Sequence, residues 1–302
     1  MLVILPAALT LAGCSAKEAG PSGAVGDVTA SVSVTAGPTP PSQAAPFPEA
    51  PLVDRKCGWQ KTVGIVAHAG TPKIVAATLS GDVDGIRRQL AAGAGPDAFD
   101  RHLATTALSA AAQARCEAIV RLLLDAGADP EMIAPRGWSP LLAAVNTGDV
   151  TVVRMLLDSG ADPSRDGGQS VETPLHEAVG VGRMEILRLL IPYAKNIDSG
   201  RNPANNPLVS NDIGAGSALE FAATLEGREQ HISLLLAAGA TASLTALYRA
   251  VDLGSTELVT MLLDAGAPLS TSPKEKRTMV EVARAGGHAG VVQILEERSR
   301  SR

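Results

Sequence analysis

Apolar residues recur along this chain in short paired runs separated by polar openers and glycine exits. The clearest pair begins at Thr173. Leu175 and Ala178 fall three apart, on one face of a short helix, and Gly182 ends it. Thr173 is placed to act as N-cap, accepting a first-turn N–H, and Pro174 suits the first helical position, where no N–H is needed. Ile186, Leu187, Leu189 and Leu190 then supply a second apolar helix. Openers in the same register stand at Pro72, Thr106, Ser139, Thr173, Ser217, Thr245 and Thr278, giving steps of 34, 33, 34, 44, 28 and 33 residues. Second helices are predicted at Ile119 to Leu124, Val152 to Leu157, Ile186 to Leu190, Ile232 to Leu236, Leu258 to Leu263 and Val291 to Leu295. Gly127, Gly160, Gly239 and Gly266 follow them as left-handed C-caps. The pattern predicts an all-α chain built from repeated helix-turn-helix units.

Thr173-Pro174-Leu175-His176-Glu177-Ala178 resembles the Thr-Pro-Leu-His-x-Ala opening of the ankyrin repeat, whose period is about 33 residues. The resemblance covers roughly 72–296. It implies an ankyrin-repeat solenoid of about seven repeats with short β-turn fingers, in which Thr173, Pro174 and His176 are structural and His176 ties neighbouring repeats together. The departures are local. Glu220 and Glu281 replace the His, and Ser217-x-x-Glu220 and Thr278-x-x-Glu281 read as capping boxes. The 44-residue step places an insertion near 199–214, and the 28-residue step leaves the connection from Ala240 to Thr245 too short for a full finger. Ala194 stands where a C-cap Gly belongs, so repeat four exits irregularly. The first copy lacks an N-cap Thr in register, though Thr71 lies one residue earlier, as expected of a terminal repeat.

Residues 1–13 are almost wholly apolar, too short to span a bilayer and of signal-peptide length. Leu11-Ala12-Gly13-Cys14 resembles the lipobox of bacterial lipoproteins, which implies acylation at Cys14, although no Lys or Arg precedes the apolar run. An ordinary secretory signal is the alternative. Residues 14–50, with six Pro and four Gly after position 15, cannot bury enough surface to offset ordering and read as a disordered tether. Residues 51–71, with Val53, Cys57, Trp59, Val63, Ile65 and Val66, read as an N-terminal cap on the stack. Residues 297–302 form a short basic tail.

Composition narrows the function. Aromatics make up 2% of the chain, so the core must be Leu, Val, Ile and Ala, which suits thin stacked helices. A net charge of −5 lacks the basic footprint of a nucleic-acid binder. The five His (68, 102, 176, 231, 288) have no metal-ligand spacing, and His176-Glu177 lacks the second His of a His-Glu-x-x-His site. Gly180-Val-Gly182 follows a helix rather than a strand, and Gly214-Ala-Gly216-Ser217 completes no nucleophile elbow. No catalytic residue, metal, cofactor or small-molecule substrate is expected. With Cys14 acylated, Cys57 and Cys116 remain, either bridged across repeat one or present as two small buried residues.

The ankyrin resemblance implies a protein partner bound along the fingers and first helices. The positions it assigns before the openers are Thr105, Trp138, Glu172 and Leu244. On the helices they are Gln113, Asn146, Thr147, Gly180, Val181, Asp252 and Leu253, and the fingers add Phe99, Arg101, His102 and Arg136. Trp138 with Arg136 is the main hot-spot candidate; the alternative is that Trp138 packs on an adjacent finger. Tyr248, at the His position of repeat six, reads as structural. The expected protein is therefore a non-enzymatic interaction module, lipid-anchored at the extracytoplasmic face of a membrane. A dedicated inhibitor or immunity protein and an enzyme with a site in the insertion are the rival readings.

Overall fold

Polar caps set where the first helix of each pair begins. Thr106, Ser139, Thr173 and Ser217 each accept, through the side-chain oxygen, the N–H three residues on (Ser109, Leu142, His176 and Glu220). Each satisfies one of the four donors a helix start leaves unpaired. The structure, a computed structural model, describes residues 67–168, 172–200, 216–269 and 273–300. The expected signal segment, Cys14, the expected tether, Cys57 and the expected cap up to residue 66 lie outside the described residues, as do 201–215 of the insertion.

Fourteen helices among the described residues form seven pairs. The first three pairs are α1 (Lys73–Ser80) and α2 (Val83–Ala91), α3 (Ala107–Gln113) and α4 (Glu117–Asp125), α5 (Pro140–Thr147) and α6 (Val150–Asp158). Next come α7 (Pro174–Gly180) with α8 (Met184–Leu190), and α9 (Ala218–Ala222) with α10 (Glu229–Ala237). The last two are α11 (Leu244–Leu253) with α12 (Thr256–Asp264), and α13 (Pro273–Ala285) with α14 (Ala289–Arg300). Odd-numbered helices pack on their odd neighbours and even-numbered on even, giving two layers stacked repeat upon repeat. Alanines at 107, 110, 111, 112, 143, 144, 178, 218, 222 and 223 let the inner row close up, while Ile119, Leu123, Leu156, Ile186, Leu187, Ile232 and Leu235 fill the space behind it. Each such Leu or Ile contributes about 1.5–3 kcal/mol by leaving water.

Two inner helices start earlier than their openers predict. In repeat six Leu247, Ala250 and Val251 are buried as Leu175, Ala178 and Val179 are, so Thr245 does mark the packing register. The N-cap, however, is Ser243, whose hydroxyl accepts from Ala246 N–H, and Leu244 already lies inside α11. With no room for a finger after α10, the chain enters the helix half a turn sooner. In repeat seven α13 begins at Pro273, so Thr278 and Glu281 both lie inside the helix rather than at the N-cap and third positions expected of them. The Glu220 box is half made: Glu220 N–H donates to Ser217 Oγ at 3.3 Å, while its carboxylate accepts the Ser243 hydroxyl of the next repeat at 2.5 Å. The basic tail is also revised, since α14 runs on to Arg300, which pairs with Glu296 at 3.8 Å.

Fingers join the repeats along one edge. The first is a hairpin of β1 (Phe99–Asp100) and β2 (Thr105–Thr106), antiparallel with Phe99 opposite Thr106. Trp138 bridges to Gly168 of the following finger, and Gly200 pairs with Ser217. That last pairing closes the base of the inserted loop. After α8 a 3-10 turn, Ile191–Tyr193, ends on Ala194 in extended conformation, the irregular exit of repeat four.

Polar bonds between repeats run along two further lines. The residue opening an outer helix reaches back to the carbonyl end of the previous inner helix: Arg183 Nη2 to Asn146 O (2.9 Å), Arg228 Nε to Val179 O (2.8 Å) and His288 Nε2 to Asp252 O (3.1 Å). A cation or N–H donor there meets unpaired carbonyls and the negative end of the helix dipole. On the loops behind, Asp129, Asp162, Asn196 and Thr241 donate backbone N–H to Asp97, Glu131, Ser164 and Asp198 at 2.7–3.0 Å. The last of these spans 43 residues, so the ladder crosses the insertion unbroken.

Candidate interaction surface

The first finger is held from within by one carboxylate. Asp100 is 2% exposed and accepts the N–H groups of His102 (2.8 Å) and Leu103 (3.0 Å). His68 Nε2 bonds to the same carboxylate oxygen at 3.2 Å and lies 3.0 Å from the other, while His68 Nδ1 accepts Gly70 N–H, which puts the ring proton on Nε2, facing Asp100. Burial alone would raise the carboxyl's pKa. The bonds from Leu103, Thr71, His68 and His102 outweigh it and hold the group well below the usual carboxylate range. Asp100 is therefore an ionised internal lock that fixes the hairpin turn carrying Arg101 and His102. The His102 ring stands edge-on to His68, with centroids 5.1 Å apart.

The second finger docks on the first. A Cβ on Gly137 would lie 2.2 Å from the Ala104 carbonyl oxygen, so the two backbones touch and nothing larger than glycine fits. Ser109 Oγ donates to Trp138 O at 2.9 Å, and Ser139 N–H donates to Gly167 O at 3.0 Å. With its backbone fixed on both sides, Trp138 still leaves 40% of its surface in solvent. Arg136, at φ 64°, and Arg101 are exposed beside it, and neither has an ion-pair partner among the described residues.

The structure thus brings Arg101, His102, Arg136 and Trp138 onto one strip. The neighbouring inner-helix ends carry the rest. Asn146 is exposed and donates to Glu177 Oε1 at 2.6 Å, and Gln113 and Glu172 are half-buried. The Thr147 hydroxyl donates to its own helix at Ala144 O, 3.0 Å, and so is committed locally. Asp252 is exposed on α11, two inner helices beyond α7, and does not join this strip. Two assignments change. Thr105 is 6% exposed inside the hairpin and offers nothing to a partner, and Tyr248 is 40% exposed rather than tucked between repeats. Glu177 was missed because its position inside the Thr173 motif reads as scaffold.

His176 sits apart from this surface, fully buried. Its Nε2 lies 2.9 Å from Gly216 O, a carbonyl that only accepts, so Nε2 carries the proton. Nδ1 then accepts the Thr173 hydroxyl at 2.8 Å. The ring links repeat four to repeat five and touches Phe221, at 6.0 Å between centroids. Cys116, 2% exposed, is disulfide-bonded, and the other sulfur lies outside the described residues. Among the described residues no group of three or more His, Cys, Asp or Glu is arranged to hold a metal ion, and no helix is long and apolar enough to cross a membrane.

Sequence families agree with this architecture. The family described as "Ankyrin repeats (3 copies)" matches residues 74–167, and "Ankyrin repeat" matches 172–202. Residues 74–202 of this chain are ankyrin repeats. The family matches end at 202, where the insertion begins, but α9 to α14 continue the ankyrin stack by the same packing. Among solved structures, the ankyrin repeat domain of Bcl-3, described as a unique member of the IkappaB protein family, is 26% identical with a TM-score of 0.61. It covers 76% of this chain and 100% of its own. An ankyrin repeat domain from Acinetobacter baumannii is 29% identical, TM-score 0.55, over 65% of this chain and 98% of its own. The human ASB11 ankyrin repeat domain, 24% identical over 70% of this chain and 91% of its own, with a TM-score of 0.52, shares the fold. No curated protein sequence matches. Ankyrin repeats mark the chain as a protein-interaction module.

Proposed function

We propose that this ankyrin stack binds one protein partner through its first fingers, while acyl chains on Cys14 hold it at the extracytoplasmic face of a bacterial membrane. In this reading the rigid strip around Trp138 recognises the partner, and residues 15–50 set how far from the bilayer it reaches. The observation that carries the binding half is an exposed Trp, one of two in the chain, on the same fingers as two exposed arginines that have no ion-pair partner among the described residues. Trp and Arg dominate interface energetics, and a pre-fixed backbone lowers the ordering cost of binding. The anchoring half rests on the apolar residues 1–13 and the Leu11–Cys14 sequence.

Two variants test the halves separately. Cys14→Ser should move the protein from the membrane to the soluble fraction; continued membrane retention would end the lipid-anchor reading. Trp138→Ala should weaken partner capture by about 2 kcal/mol or more while thermal stability barely changes. Intact capture with a large loss of stability would assign Trp138 to packing.

A further inference from the structure

We infer that the partner presents an acidic, extended segment carrying a large apolar side chain, and that this segment seats on the first two fingers. The inference deepens the protein-binding reading and rests on it. Arg101 and His102 are exposed on the turn of the first finger, and Arg136 and Trp138 are exposed on the second. Gly137 against the Ala104 carbonyl brings the two backbones together, so these side chains address one short strip.

Among the described residues no carboxylate pairs with the strip's arginines. Elsewhere on the chain Arg87, Arg88, Arg115, Arg165, Arg284 and Arg298 all pair with carboxylates. Arg101 and Arg136 have no such partner among the described residues. Asp100, the acid built into the first finger, is turned inward and shared among the His102 and Leu103 N–H groups and His68. What the strip lacks is a carboxylate from outside. Guanidinium groups take carboxylates in paired, charge-assisted hydrogen bonds, and the exposed indole of the second finger offers a flat apolar seat.

Long polyanions fit less well. The chain carries a net charge of −5, and Glu172 and Glu177 of the next repeat continue the same row. They would repel a nucleic acid or an anionic bilayer running past the fingers, whereas a short acidic segment ends before them.

The test pans the full-length chain against a displayed library of random short peptides, then measures the enriched peptides individually by Trp fluorescence and by competition. The expected result is enrichment of acidic sequences with an aromatic or aliphatic anchor. Their binding should weaken about tenfold or more in the Arg101→Gln, Arg136→Gln double variant, which alters surface positions alone. It should also weaken as salt rises from about 0.1 M to about 1 M, since the screening length shrinks from about 10 Å to about 3 Å. Neutral or basic enriched peptides, or acidic ones indifferent to the double variant, would overturn the acidic partner and leave the binding module standing. Phosphatidylglycerol vesicles or a single-stranded oligonucleotide binding through the same arginines, in place of peptides, would overturn it in favour of that polyanion. If no peptide is enriched and residue 138 crosslinks to no protein in cells, the acidic partner and the binding module fall together.

Discussion

Replacing His176 with Leu removes the buried link between repeats four and five while keeping much of its volume. Two bonds go: Nε2 to Gly216 O at 2.9 Å and Thr173 Oγ1 to Nδ1 at 2.8 Å. The Gly216 carbonyl and the Thr173 hydroxyl are left without their partner in a site that is fully buried on the His side. Each orphaned buried polar group costs about 1–3 kcal/mol, so the expected loss is about 2–4 kcal/mol. Thr173 has a second task, accepting His176 N–H as helix cap, which alone is worth about 1 kcal/mol. A double-mutant cycle with Thr173→Val separates the two. The pair should couple by about 0.5 kcal/mol or more, because once the ring is gone Thr173→Val loses only the cap and no longer the bond to Nδ1. Urea unfolding followed by far-UV circular dichroism reads all four corners of the cycle. A loss below about 1 kcal/mol for His176→Leu, or strict additivity with Thr173→Val, would refute the Thr173–His176–Gly216 network.

Two pH-dependent predictions follow from the other buried groups. Asp100 has its folded pKa held below the unfolded value, so its contribution is present above about pH 4 and is lost as pH falls further. Asp100→Asn should therefore unfold at lower temperature than wild type at pH 7, with the gap closing toward pH 3; a constant gap would count against the ionised lock. His231 is 6% exposed, and burial, then the Arg228 charge, push its pKa below the ordinary 6.5 against a weaker opposing pull from the Gly182 backbone. Its neutral form is the folded one, so stability is full above about pH 6.5 and falls below it. His231→Leu should lose less stability than wild type between pH 7 and pH 5, and parallel melting curves would contradict this.

The repeat architecture was legible because helix caps and apolar spacing are local. Thr106, Ser139, Thr173 and Ser217 each announce a helix within six residues, and Gly127, Gly160, Gly239 and Gly266 take the left-handed conformation their position demands. Ser243 was obscured because the packing register and the helix start part company when the connection shortens, and spacing reports the register. Arg115 shows another limit: it adopts φ 57° where other repeats place a glycine, and nothing in an arginine signals that. Bonds such as Arg228 to Val179 O cross 49 residues and emerge from stacking, not from any one repeat. On the candidate surface, Arg101, His102, Arg136 and Trp138 were readable from their place before the openers. Thr105 was misread, because the same place puts it inside the β1–β2 hairpin, where its side chain is buried.

The central claim is that this chain recognises a protein through the finger strip at Trp138. The most direct test places an aromatic photo-crosslinking amino acid, which keeps a large apolar ring in place of the indole, at position 138 of the chain in intact cells, with a second version carrying it at Ser233, exposed on the outer helix α10. The account predicts a discrete protein adduct from position 138 and none of matching mass from position 233. Equal adducts from both positions, or an adduct from 233 alone, would contradict it.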